Sequence, residues 1–177
     1  MEAIEQQDHF KKLYDAESDA VFRFCFFRTS DREVALDLTQ EAFTKMWKVF
    51  ARGQSPKNER AFLFAITRNL VIDWYRAKKS VSLDALLENE QGDVTDEEPL
   101  FTHEGKLEFE MGAEARRLAE TIQKLPKQFQ QVLYLRFVED FSPQEIADVM
   151  GVSANVVSVR ITRGLAQLRE LYGTQSD

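Results

Sequence analysis

Two stretches of the 177-residue chain carry side chains suited to a polyanion. The first runs from Lys45 to Lys79 and holds nine basic residues (Lys45, Lys48, Arg52, Lys57, Arg60, Arg68, Arg76, Lys78, Lys79) against Glu59 and Asp73. Phe62, Phe64, Trp74 and Tyr75 are interleaved with them. Cations track phosphates while aromatic faces stack on unpaired bases, so the pattern suits single-stranded nucleic acid. Most of these rings also have the spacing of a core. Phe62, Ile66 and Leu70 recur on one helical face and are expected to be buried.

The second stretch is "SPQEIADVMGVSANVVSVRITRGLAQL", Ser142 to Leu168. Ser142, Pro143 and Glu145 spell a capping box with proline at the first helical position. Gly151 can take the left-handed conformation that ends this short helix. Ser153 then caps a second helix, with Val157, Ile161, Leu165 and Leu168 on its apolar face. Asn155, Val156, Val159, Arg160 and Arg163 fall on the opposite face. Helix, glycine turn and helix fit the geometry that lays a second helix in the DNA major groove. An ordinary helical hairpin would carry the same caps; the polar and basic outer face favours DNA. Val156 and Val159 donate no hydrogen bond and suit thymine methyls or a protein partner.

Other chemistry finds little support. Cys25, inside "VFRFCFF", has no histidine or second cysteine nearby in sequence and is expected to be a small buried apolar side chain. His9 and His103 lie far apart and lack ligand spacing. The sequence therefore implies no catalytic group, no metal and no cofactor.

Only 7 Gly and 4 Pro interrupt a chain that is 44% hydrophobic and includes 14 Phe, so an all-α fold is expected. Three helical patterns lead. Asp8 to Arg28 places Phe10, Leu13, Tyr14, Val21, Phe24 and Cys25 at core spacing. "DREVALDLTQEAFTKMWKVF" opens on a capping box from Ser30 to Glu33, and buries Val34, Leu38, Ala42, Met46 and Val49 on one face. Asp37, Gln40, Glu41, Thr44 and Lys48 make its polar side. "NERAFLFAITRNLVIDWYRAKK" follows a short exposed loop. The net charge of -7 is uneven: residues 84–114 hold 11 acidic and one basic residue, whereas 1–83 and 115–177 are each slightly basic. We therefore expect two helical domains, 1–83 and 115–177, joined by an acidic flexible linker. The opening "MEAIEQQDHF" lacks a signal peptide's basic and apolar segments, and no apolar run reaches membrane length, which predicts a cytoplasmic protein without membrane insertion.

Together these motifs resemble the extracytoplasmic-function group of bacterial sigma factors. Asp37, Gln40, Glu41 and Phe43 match that family's D-x-x-Q-E-x-F helix. Leu63, Ile66, Arg68, Asn69, Asp73 and Arg76 match its next segment, with Phe62 at the usual tryptophan. "LPKQFQQVLYLRFVEDFSPQEIADVMGVSANVVSVRITRGLAQLRE" resembles its C-terminal helix-turn-helix, with Gln130 at a frequent arginine. Ser158 and Val159 stand at frequent lysine and serine positions, and Glu59 stands where phenylalanine is common.

The resemblance implies a dissociable subunit that directs core RNA polymerase to promoters and helps open the duplex. Asp37, Gln40, Glu41 and Lys48 would bind the β′ clamp, and the second domain would meet the β flap. Arg52, Lys57, Asn58, Arg60, Arg68, Asn69, Asp73, Trp74, Arg76 and Lys79 would read the -10 element as separated strand. Ser153, Asn155, Val156, Ser158, Val159, Arg160 and Arg163 would read the -35 element as duplex. The acidic linker would occupy positively lined polymerase channels as a nucleic-acid mimic. An anti-sigma protein is an expected further partner, and no sensory extension is expected past the recognition helix. The rival expectations are a one-component DNA-binding regulator and a sigma-like interaction protein that does not open DNA.

Overall fold

The computed structural model describes residues 2–84 and 112–174; the acidic linker, apart from its ends, lies outside the described residues. These contain seven helices and no strand: α1 (Glu2–Thr29), α2 (Arg32–Ala51), α3 (Glu59–Asp84), α4 (Ala113–Ile122), α5 (Lys127–Phe137), α6 (Pro143–Met150) and α7 (Ala154–Thr174). The first three make one helical domain and the last four another, as the sequence pattern predicts.

The α1–α2 turn differs from the expected Ser30 cap. Ser30 has a φ of 54°, and its N–H donates to the Phe26 carbonyl at 2.8 Å, closing the end of α1. A residue committed to that left-handed turn is not in the extended conformation of an N-cap. Asp31 takes the role instead, accepting from the Val34 N–H at 3.1 Å. In α3 the cap is Asn58, whose Oδ1 accepts from the Ala61 N–H at 2.9 Å.

The front core gathers Phe24, Phe27, Ala42, Met46, Leu63 and Phe64, all buried, with Cys25 among them. Burial pushes the Cys25 thiol up to about 12, which makes it inert at neutral pH, as expected of a packing side chain. Phe62 contradicts its expectation. It is 38% exposed, whereas Leu70 is buried and Ile66 half-buried. Ala61, Leu63 and Phe64 supply the buried contacts of that turn, which rotates Phe62 outward.

In the second domain the capping box forms as read. The Ser142 N–H donates to Glu145 Oε2 at 2.8 Å, and the Glu145 N–H donates to Ser142 Oγ at 3.2 Å. Gly151 takes a φ of 66°, and Ser153 Oγ accepts from the Val156 N–H at 3.2 Å to start α7. Gln130 is buried, donating through Nε2 to the carbonyls of Gln123 (2.9 Å) and Leu125 (2.8 Å), which fixes the α4–α5 turn. Gly164 lets α7 lie close on α5: a Cβ there would meet Leu133 Cδ1 at 2.9 Å and Phe129 Cβ at 3.0 Å.

The two domains share a continuous core. Tyr134 of α5 stacks on Phe27 of α1, with ring centroids 4.2 Å apart and planes at 24°. Phe141, before α6, packs edge-on against Phe64 of α3 at 4.8 Å. Sequence periodicity predicts the apolar face of each helix but carries no information about which other domain's face will meet it.

Candidate nucleic-acid interface

Three surfaces hold the residues singled out by sequence. On α2, Asp37, Gln40, Glu41 and Lys48 are all exposed. Leu36, 43% exposed, sits beside them. Lys45 approaches Glu41 at 3.6 Å, an i,i+4 pair on the same strip. An exposed polar strip with one apolar anchor has the composition of a docking face for a partner helix.

The second surface combines the loop after α2 with the outer face of α3. Arg52 caps α2 through its backbone N–H, and Arg52 and Lys57 are exposed. Asn69, Asp73 and Arg76 are exposed and share one face at spacings of four and three, with Lys79 exposed one turn on. The same spacing carried backward reaches Ile66 and Phe62, so the outward ring of Phe62 heads the polar stripe. Periodicity alone assigned Phe62 to the core; its exposure makes it the aromatic of this face best placed to stack on a base.

Trp74 is differently placed. It is half-buried, with Tyr75 edge-on at 4.8 Å and Lys78 Nζ 5.0 Å from its ring centroid. Tyr75 itself is buried, and its hydroxyl donates to the Arg28 carbonyl. Arg68 is half-buried.

Beside the loop lies an open cleft of about 580 Å³, lined by Glu5, Gln6, His9, Phe50, Gly53, Gln54 and Ser55. Sequence reasoning missed it, because its α1 wall is about 45 residues away in the chain. His9 Nε2 lies 2.7 Å from Glu59 Oε1, joining α1 to the start of α3.

Asn58 and Arg60 were expected on this surface facing nucleic acid, but here they face the second domain. Asn58 Nδ2 donates to Glu145 Oε1 at 2.8 Å. Arg60 donates from Nε to Glu17 Oε2 at 2.9 Å and from Nη2 to the Glu139 carbonyl at 2.8 Å. Its guanidinium lies 4.1 Å from the Phe141 ring centroid. The Glu139 carboxylate, 4% exposed, accepts from Arg23 at 3.2 and 3.1 Å and from the Tyr134 hydroxyl at 3.0 Å. Burial would lower the Arg23 pKa, but the bonded Glu139 carboxylate outweighs it and the net shift is upward. Burial raises the Tyr134 phenol well above its ordinary value, so it stays protonated and donates. The Glu145 carboxyl is held below the usual carboxylate range, first by the Ser142 N–H and then by Asn58 and other neighbours.

The third surface is the outer face of α7. Asn155, Val156, Ser158, Val159 and Arg163 are exposed and Arg160 is half-buried. Ser153 is exposed too, but its hydroxyl is engaged in the α7 cap. Helix dipole, capped N-terminus and outward side chains together present a helix end able to approach phosphates and base edges. Among the described residues, no three His, Cys, Asp or Glu side chains group to hold a metal, and no helix is long and apolar enough to cross a membrane.

Comparison with known proteins falls along the same division. The pattern described as sigma-70 region 2 matches residues 13–81, and that described as sigma-70, region 4 matches residues 115–168. The chain is 25% identical over 166 residues to the ECF RNA polymerase sigma factor SigX of Bacillus subtilis (strain 168), covering 93% of this chain and 84% of SigX. It is 27% identical over 168 residues to the RNA polymerase sigma factor YlaC of the same organism, covering 94% of each. Its fold is similar to that of the sigma factor RpoE from Bartonella quintana, solved in complex with the anti-sigma factor NepR. The TM-score is 0.67 at 21% identity, over 93% of this chain and 97% of that one.

Proposed function

Since the chain belongs to the sigma-70 family, as an RNA polymerase sigma factor of the extracytoplasmic-function type, we propose that it binds core polymerase, selects promoters through -10 and -35 elements, and helps open the duplex. The observation that carries this reading is the pairing of two unlike DNA-facing surfaces in one chain. The α3 face offers an exposed ring, Phe62, heading a stripe of Asn69, Asp73 and Arg76, which suits unstacked bases. The α7 face offers Asn155, Val156, Ser158, Val159 and Arg163 on a helix of groove-filling shape, which suits duplex DNA.

Within this reading, residues 1–83 bind the β′ clamp through Asp37, Gln40, Glu41 and Lys48 on α2. Arg52, Lys57, Asn58, Arg60, Arg68, Asn69, Asp73, Arg76 and Lys79 engage the -10 strand. Phe62 joins them as the stacking ring, whereas Trp74 serves mainly to brace Tyr75 and Lys78. Residues 115–177 carry the -35 contacts and meet the β flap, and residues 84–114 connect the two. The protein acts in the cytoplasm as a polymerase subunit with no catalytic group of its own. An anti-sigma protein is its expected antagonist, a proposal supported by the complex in which the related RpoE fold was solved.

Transcription in vitro with bacterial core polymerase on fragmented genomic DNA tests this directly. New transcript starts that share two upstream elements at fixed spacing are the expected outcome. Duplex binding by the chain alone, with no polymerase-dependent starts, would point instead to a one-component regulator.

A further inference from the structure

Among the large apolar side chains that the described residues leave exposed, two lie on the outer face of α7: Val156 is 37% exposed and Val159 40%. They stand three residues apart near the start of the helix, while Val157 between them is fully buried. Neither outer valine belongs to the core, and valine is a poorer helix former than alanine or lysine. Folding therefore does not account for them. The family resemblance does not account for Val159 either, since serine is the frequent residue at its position.

Their surroundings are those of a surface that meets DNA. From Ala154 to Gln167 the helix holds Arg160 and Arg163 and no acidic residue, and its N-terminal end carries the positive pole of the helix dipole. Asn155 and Arg163 lie one turn before and one turn after Val159, all three exposed, and Val156 borders the same stripe. The first turn is fixed by the Ser153 cap, to which the Val156 N–H donates at 3.2 Å. Asparagine and arginine can hydrogen-bond to base edges, but a valine offers only methyl groups. The base that answers with a methyl group in the major groove is thymine. Three residues of helix rise about 4.5 Å, against about 3.4 Å per base pair, so the two valines match neighbouring base pairs. Branching at Cβ holds each valine in one favoured rotamer, with its methyl groups in position before any DNA arrives. A protein partner fits less well. Valine is under-represented among the side chains that anchor protein interfaces, and the sole aromatic residue of α7, Tyr172, is at its other end.

We propose that Val156 and Val159 are specificity-determining residues that read the 5-methyl groups of two thymines at neighbouring base pairs of the upstream duplex element. Each valine closes against one methyl group and excludes water from it, while Asn155 and Arg163 supply polar contacts on either side. Cytosine at either place presents no methyl group and an N4 donor that a valine cannot accept, so thymine is selected over cytosine there. Burying one such methyl group is worth about fourfold in affinity. This role for the valines rests on the assignment of α7 to the -35 element.

The test uses holoenzyme assembled from the full chain and bacterial core polymerase, offered a library of duplexes of randomised sequence. The upstream element that it enriches is resynthesised with deoxyuridine at one thymine at a time, which removes the methyl group and leaves the base pairing intact. For the parent, this replacement should weaken binding about fourfold at each of two neighbouring base pairs. Val159→Ala should bind the all-thymine element more weakly and be indifferent to deoxyuridine at one of the two positions. Val156→Ala should be indifferent at the other. Both valines are exposed and alanine favours helix, so melting curves of the variants should match the parent's or lie above it. A parent indifferent to deoxyuridine throughout the element overturns the proposal, as does a methyl dependence that persists undiminished in both variants. Variants that keep every base preference but bind core polymerase less tightly assign the valines to a protein contact, and overturn it too. Enrichment of no upstream duplex sequence refutes the assignment of α7 to the -35 element, and the valines' role with it. A fixed upstream element that ignores the methyl groups refutes the valines' role alone.

Discussion

Gly164 and Gly173 lie on the same helix and should respond to alanine with opposite signs. A Cβ at Gly164 would sit 2.9 Å from Leu133 Cδ1 and 3.0 Å from Phe129 Cβ, well inside the roughly 3.5–4.0 Å of a comfortable carbon contact. The leucine methyl can swing aside, but Phe129 Cβ is tied to the α5 backbone, so α7 has to shift. Overpacking of this kind costs about 1–3 kcal/mol, against about 1 kcal/mol gained from the better helix propensity of alanine. Gly164→Ala should therefore lose about 1 kcal/mol net, lowering Tm by about 2–4 °C. Nothing lies within 4 Å of a Cβ at Gly173, near the end of α7, so Gly173→Ala keeps the propensity gain with no clash. That gain is about 0.5 kcal/mol at a helix end. Urea midpoints of the parent and both variants, compared at equal m, provide the assay. Stabilisation by Gly164→Ala equal to that of Gly173→Ala would refute the claim that the α5–α7 approach is set by the missing side chain. The shift would also tilt α7, so if α7 reads duplex DNA as proposed, duplex binding should fall with Gly164→Ala and not with Gly173→Ala.

Cys25 should not react with a maleimide at pH 8 in the folded chain and should react fully in urea, since its thiol is buried and pushed up to about 12. The depressed pKa of Glu145 contributes stability that is present above the ordinary carboxylate range and lost as pH falls through the lower folded value. Acid titration of stability should accordingly be flatter in Glu145→Gln than in the parent, most visibly below about pH 4.5. Asp37→Ala combined with Glu41→Ala should weaken core polymerase binding by about 30-fold or more, the scale of losing central interface contacts, while leaving the melting curve unchanged because both side chains are exposed.

The parts of this protein legible in its sequence are those governed by nearest neighbours along the chain. The α6 capping box, the Gly151 turn and the Ser153 cap all form as read, because each depends on residues within three or four positions. So did the two-domain, all-helical division and the family, whose motifs are strings of local residues. Even a local signal can mislead when two fit the same place: Ser30 and Asp31 both suit a cap, and the need to close α1 decided between them. What only the tertiary structure decided depends on surfaces remote in sequence. Phe62 has the spacing of a core residue, yet the core contacts of its turn are filled by its neighbours and it points outward. The cleft by His9 needs a wall from α1, and the engagement of Asn58 and Arg60 needs Glu145 and Glu139, about 80 residues away. Helical periodicity states which face is apolar. Which faces meet is decided by shape, charge and burial summed over the whole chain.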